Sequence, residues 1–81
     1  MLNAEGMFYK LGYKKTCNDL GYFICYERIR ETKYIRETEY IGFNLRYKKV
    51  YFKNSTITVE ELNAIKKQCE ELGWVESTEE E

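Results

Sequence analysis

Residues 29–34 read Ile-Arg-Glu-Thr-Lys-Tyr and residues 35–40 read Ile-Arg-Glu-Thr-Glu-Tyr, a tandem six-residue repeat with one difference. Six residues do not return to one face of a helix, because a helical turn takes about 3.6. They do return to one face of a strand, whose side chains alternate with period two. Thr and Tyr add β preference. The repeat therefore predicts two extended arms of one hairpin.

Charge selects a register for that hairpin. If paired residue numbers sum to 64, Arg28 faces Arg36 and Glu27 faces Glu37, and like charges directly opposite are destabilising. A sum of 65 sets Arg28 against Glu37, Ile24 against Ile41 and Tyr22 against Phe43, with the loop centred on Thr32-Lys33. We adopt 65. Outward from the hairpin, residues 13–17 form a first strand, Asn18-Asp19-Leu20-Gly21 a turn, 22–30 and 35–44 the hairpin strands, 45–48 a turn and 49–53 a fourth strand. For the last hairpin a sum of 93 sets Phe43 against Val50 and Ile41 against Phe52. Consecutive antiparallel connections make a meander. One face then carries Tyr22, Ile24, Tyr26, Ile41, Phe43, Val50 and Phe52. The other carries Phe23, Cys25, Ile29, Arg36, Tyr40, Tyr51 and Lys53.

Helices flank the sheet segment. Ala4, Met7, Phe8 and Leu11 share one helical stripe, with Asn3 as N-cap and Gly12 at the left-handed position beyond the end. Thr58 and Glu61 form a capping box, and Ile57 and Leu62 a hydrophobic staple. Leu62, Ile65, Cys69 and Leu72 make the expected buried stripe, with Glu60, Lys66, Lys67 and Glu70 outside it. Gly73 again ends the helix, and Trp74 folds back as a core plug, as Tyr13 does after Gly12. The fold expectation is α+β: helix, four-stranded antiparallel β-meander, helix, with both helices on one face. Residues 1–75 make one domain and 76–81, Glu-Ser-Thr-Glu-Glu-Glu, an acidic disordered tail.

Composition narrows the function classes. The 81 residues leave little room for an elaborate buried active site. No apolar run approaches the ~20 residues of a membrane span, and residues 1–6 lack a basic then apolar leader. The expectation is a cytoplasmic protein without membrane contact. Three cysteines, none in a Cys-x-x-Cys pair, and the absence of His argue against zinc and for free thiols. Neither a metal nor a cofactor is expected. Without His, and with Ser only at 55 and 77, no acid–base or nucleophilic arrangement emerges, so no catalytic residue is assigned. The five glycines form no phosphate loop.

The net charge of −1 conceals a partition: residues 1–58 carry 11 Lys/Arg against 6 Asp/Glu, and residues 59–81 carry 2 against 8. Residues 41–58 contain no acid. There Tyr47, Lys48, Lys49, Tyr51 and Lys53 interleave aromatics with cations, a pattern suited to phosphates and stacked bases. The plainer account is a Tyr-rich strand whose lysines guard a sheet edge.

The ends of the chain add a resemblance. Ala4-Glu5-x-Met7-Phe8-x-x-Leu11-Gly12-Tyr13, and Glu61-Leu62-x-Ala64-Ile65-x-Lys67-Gln68-x-Glu70-Glu71-Leu72-Gly73-Trp74, resemble small proteins encoded by phages and prophages of Gram-positive bacteria. The resemblance implies a helix–sheet–helix cytoplasmic domain of viral origin without known catalytic residues. The duplicated Ile-Arg-Glu-Thr unit departs from that pattern, which turns there on Gly, Asn or Asp.

The functional expectation is a non-catalytic protein-binding module, its partner another protein or a second copy in a homodimer. The candidate partner surface is Phe23, Arg36, Tyr40, Tyr51 and Lys53. The alternative is a nucleic-acid-binding accessory factor using Tyr47, Lys48, Lys49, Tyr51 and Lys53.

Overall fold

A computed structural model describes residues 2–19 and 21–76. Its elements run α1 (Ala4–Lys10), β1 (Lys14–Asp19), β2 (Phe23–Glu31), β3 (Arg36–Asn44), β4 (Lys49–Phe52) and α2 (Val59–Glu71). The strands form one antiparallel sheet in the order β1-β2-β3-β4, the expected meander. The expected tail at 76–81 lies, apart from Glu76, outside the described residues.

Both helices stop by the same device. The Tyr13 amide donates to the Phe8 carbonyl and the Gly12 amide to that of Tyr9; Trp74 and Gly73 repeat the pair on Cys69 and Glu70. Gly12 at φ 96° and Gly73 at φ 76° supply the left-handed residue that this closure needs. The starts are as expected too. Asn3 accepts from the Gly6 amide, and Thr58 and Glu61 complete a reciprocal capping box.

The register of the β2–β3 hairpin differs from expectation. Its pairs sum to 67, not 65: Arg28 faces Glu39, Arg30 faces Glu37 and Glu31 faces Arg36. The reason is charge. The observed register makes three opposite-charge pairs, whereas 65 makes only Arg28 with Glu37. The two differ by two residues, so every side chain keeps its expected face. The loop moves to Lys33-Tyr34, held by the Thr32 hydroxyl, which accepts the Tyr34 and Ile35 amides at 3.3 and 3.0 Å. The β3–β4 register, summing to 93, is as expected. A bulge at Thr16 interrupts β1 between Lys15 and Cys17, a feature not anticipated.

The core is Phe8, Tyr13, Ile24, Tyr26, Ile41, Phe43 and Ala64. Phe8 of α1 stacks on Tyr26 with centroids 4.1 Å apart, and the Tyr26 hydroxyl donates to Gln68 Oε1 of α2 at 2.7 Å. Trp74 packs at the margin, its ring tilted 6.3 Å from Phe43. Two expectations need correction. Tyr22 and Phe52 stand on the core face but are more than half exposed, since they lie at its periphery. Leu62 is also exposed; Ile65, Cys69 and Leu72 pack half-buried against the core as expected, and the fully buried positions of α2 are Glu61, Ala64 and Gln68. The capping box turns Glu61 inward, and that rotates Leu62 out.

Candidate partner surface

Strand pairing aligns the other sheet face in rows. Cys17, Cys25, Gly42 and Tyr51 stand side by side across all four strands. Asp19, Phe23, Asn44 and Lys49 form the next row toward the β3–β4 turn. On the other side, Lys14, Glu27 and Tyr40 line up, and the Lys53 amide donates to the Tyr40 carbonyl.

Tyr40 closes the middle of this face. Its ring lies across Gly42, where an added Cβ would sit 2.7 Å from Cζ. Its hydroxyl reaches the Cys25 sulfur at 3.2 Å, and Cys25 is buried beneath it. The contact with Cys25, then burial, push the Tyr40 hydroxyl up to about 12, and burial pushes the Cys25 thiol up as well. These are the environments of unreactive groups. This face is therefore open at its rim and closed at its centre. Phe23 is 37% exposed, Tyr51 45% and Ile29 56%.

Of the five expected surface residues, Phe23, Tyr40, Tyr51 and Lys53 fall in three adjacent rows around β3 and β4. Arg36 does not join them. It stands four residues beyond Tyr40, about 13 Å along the strand, paired with Glu31 near the hairpin tip at 3.8 Å. The five residues of the nucleic-acid alternative divide differently. Lys49, Tyr51 and Lys53 alternate onto the open face of β4, whereas Tyr47 and Lys48 belong to the turn. Asn44 organises that turn by accepting the Arg46 and Tyr47 amides, and Lys48 takes a left-handed φ of 56°.

The most connected polar cluster lies elsewhere and was not singled out from sequence. Arg28 on β2 reaches Glu39 of β3 at 2.8 Å from Nε, Glu61 of α2 at 2.8 Å and the Leu11 carbonyl at 2.7 Å. Its guanidinium also covers the Tyr13 ring at 4.4 Å. The Tyr13 hydroxyl donates to Glu61 and accepts from Asn54, each at 2.8 Å. Burial opposes the charge on Glu61, yet the Thr58 amide, Tyr13 and Arg28 together hold its carboxyl below the ordinary range. Burial, then the Glu61 contact, push Tyr13 up to about 12. Among the described residues every buried side-chain nitrogen and oxygen has a partner. The cluster is thus a closed staple joining α1, the sheet and α2. Its one sequence signal was the capping box, which marks Glu61 as buried only once its inward rotation is known.

Among the described residues, no three of Cys, Asp and Glu converge as a metal site, and no helix is long and apolar enough to cross a membrane. No family model, curated protein or solved structure matches the chain.

Proposed function

We propose that the chain is a non-catalytic protein-binding module that docks through the open sheet face around Phe23, Tyr40, Tyr51 and Lys53. One observation carries the reading: exposed aromatics of β2 and β4 rim the sheet face that turns away from the core cluster, beside a basic edge strand. Tyr is a residue type enriched where interfaces concentrate their energy. Three unpaired thiols support a reducing, cytoplasmic setting. The likeness of the helix ends to phage and prophage proteins supports a viral origin.

The test is site-specific photo-crosslinking in cells. A benzophenone side chain at Tyr51 or Phe23 yields a discrete protein adduct, either a second copy or a host protein, and the same probe at exposed Asn63 of α2 does not. Equal crosslinking at all three positions, or adducts only to nucleic acid, removes the reading.

A further inference from the structure

Among the described residues β4 pairs with no strand beyond β3, and the backbone and charge of its outer edge both suit an occupant. The Lys53 amide donates to the Tyr40 carbonyl, and the Tyr40 amide donates to Asn54. Even-numbered β3 residues thus face β4, and Lys49, Tyr51 and Lys53 spend their backbone groups on β3. By alternation, the N–H and C=O groups of Val50 and Phe52 point outward from β4, the last strand of the sheet. Side chains flank this ladder on both faces, with Phe52 54% exposed on one and Tyr51 45% exposed on the other.

The charge around this edge is of one sign. No Asp or Glu occurs between Glu39 and Glu60, and Arg46, Lys48, Lys49 and Lys53 are all exposed. Among the described residues, none of the four is in an ion pair. The other free backbone differs. On β1, Lys15 is paired with Glu5 at 3.2 Å. On the protruding part of the hairpin, Arg30 and Arg36 already face Glu37 and Glu31. Lysines on an edge strand repel a second copy of the same edge. They do not repel an acidic strand.

We propose that the outer edge of β4 accepts an extended acidic segment of a partner protein as a fifth, hydrogen-bonded strand. The inference rests on the protein-binding reading above and names the partner's chemistry: alternating acidic and apolar residues, main chain on Val50 and Phe52, carboxylates on the four cations. Main-chain pairing supplies affinity in such complexes, and alternate side chains supply selection.

The probe is the peptide acetyl-Glu-Val-Glu-Val-Glu-Val-amide, titrated into the full chain while amide exchange is followed by NMR. The expected result is new protection of the Val50 and Phe52 amides, with affinity falling as salt rises. The Lys-for-Glu peptide does not bind, and Lys48→Glu with Lys49→Glu weakens binding at least tenfold. Val50→Pro removes a donor that the fold does not use, so it abolishes peptide binding with the circular dichroism spectrum kept. Should that variant misfold, protection of the Val50 and Phe52 amides in the unaltered chain decides alone. Binding without such protection, or tighter binding of an oligothymidylate than of the peptide, overturns the proposal. If the peptide fails while position 51 still crosslinks to protein, the edge proposal falls and the broader reading stands.

Discussion

At the scale of single residues, Arg28 is the side chain that ties α1, the sheet and α2 together, through the Leu11 carbonyl, Glu39 and Glu61. It neutralises Glu39 and Glu61, which are 4% and 2% exposed. Removing one partner of a buried ion pair strands the other's charge and typically costs about 3–5 kcal/mol. Arg28→Met is therefore expected to lower the unfolding free energy by about 3 kcal/mol or more in urea titration. Arg30 also reaches Glu39, at 3.3 Å, but its side chain is 61% exposed. Arg30→Met should cost less than about 1 kcal/mol, as solvent-screened pairs do. Equal effects would mean that the staple is not the stabilising unit.

The same cluster sets a pH dependence with a definite sign. The folded carboxyl of Glu61 titrates below its ordinary value of 4.5. The native state thus binds fewer protons there than the unfolded chain, and stability is lost as pH falls from about 4.5 through the folded value. Glu61→Gln should be less stable near neutrality and should show a shallower acid limb as pH falls below the ordinary carboxylate range. An unchanged limb would remove Glu61 as its source. Gly42 poses a different test. A Cβ there meets the Tyr40 ring, which must swing off Cys25. Gly42→Ala is expected to cost about 1 kcal/mol, the scale of a lost buried hydrogen bond, and to speed thiol labelling of Cys25 severalfold. Unaltered labelling would show that Tyr40 does not cap the thiol.

At the scale of elements, what was legible was whatever is written locally. Caps, stop signals, strand order and facial alternation all depend on residues within a few positions of one another, and all were readable. The β2–β3 register was misread although charge writes it: registers two residues apart preserve each face, and a sum of 67, unlike 65, gives Arg28, Arg30 and Glu31 opposite-charge partners. The inner stripe of α2 was legible only in part: Ile65, Cys69 and Leu72 pack against the core, and Leu62 does not. Apolar spacing favoured Leu62, but the polar contacts of Glu61 and Gln68 with Tyr13 and Tyr26 fix the rotation of the helix. Among the candidate surface residues, alternation put all five on one face, and Arg36 stands apart from the other four because it lies four residues along β3 from Tyr40. The observed rotation makes a prediction. Leu62→Gln changes an exposed position and should shift stability by no more than about 0.5 kcal/mol. Ala64 is fully buried between core side chains, so Ala64→Leu overpacks it and should cost about 1–3 kcal/mol. A reversed order in thermal or urea unfolding would restore Leu62 to the core.

At the scale of the whole molecule, the chain divides into a braced body and an unbraced extension. β1 pairs with β2 only as far as Glu27, and β4 pairs with β3 only as far as Ile41. Residues 29–38, most of the tandem repeat, therefore pair only with one another, and the molecule extends to 46 Å in its longest dimension against 18 Å in its shortest. Ile29, Tyr34 and Ile35 on this extension are all more than half exposed, so little apolar burial supports it. A two-stranded ribbon alone is marginal in water. Local opening of the ribbon should thus require less free energy than opening the body. Hydrogen exchange separates the two. The Ile24, Tyr26, Ile41 and Phe43 amides, directed into the β2–β3 ladder within the body, should exchange slowest. The Arg30 and Glu37 amides, in the same ladder but within the extension, should be about tenfold or more less protected. The Ile29, Glu31, Arg36 and Thr38 amides point away from the ladder and should exchange almost as in an unfolded chain. Protection that follows this alternation, strong in the body and weak in the ribbon, is the expected pattern. Outward ribbon amides as protected as those of Tyr26 and Ile41 would mean that the repeat is covered in solution, and the division into body and extension would be wrong.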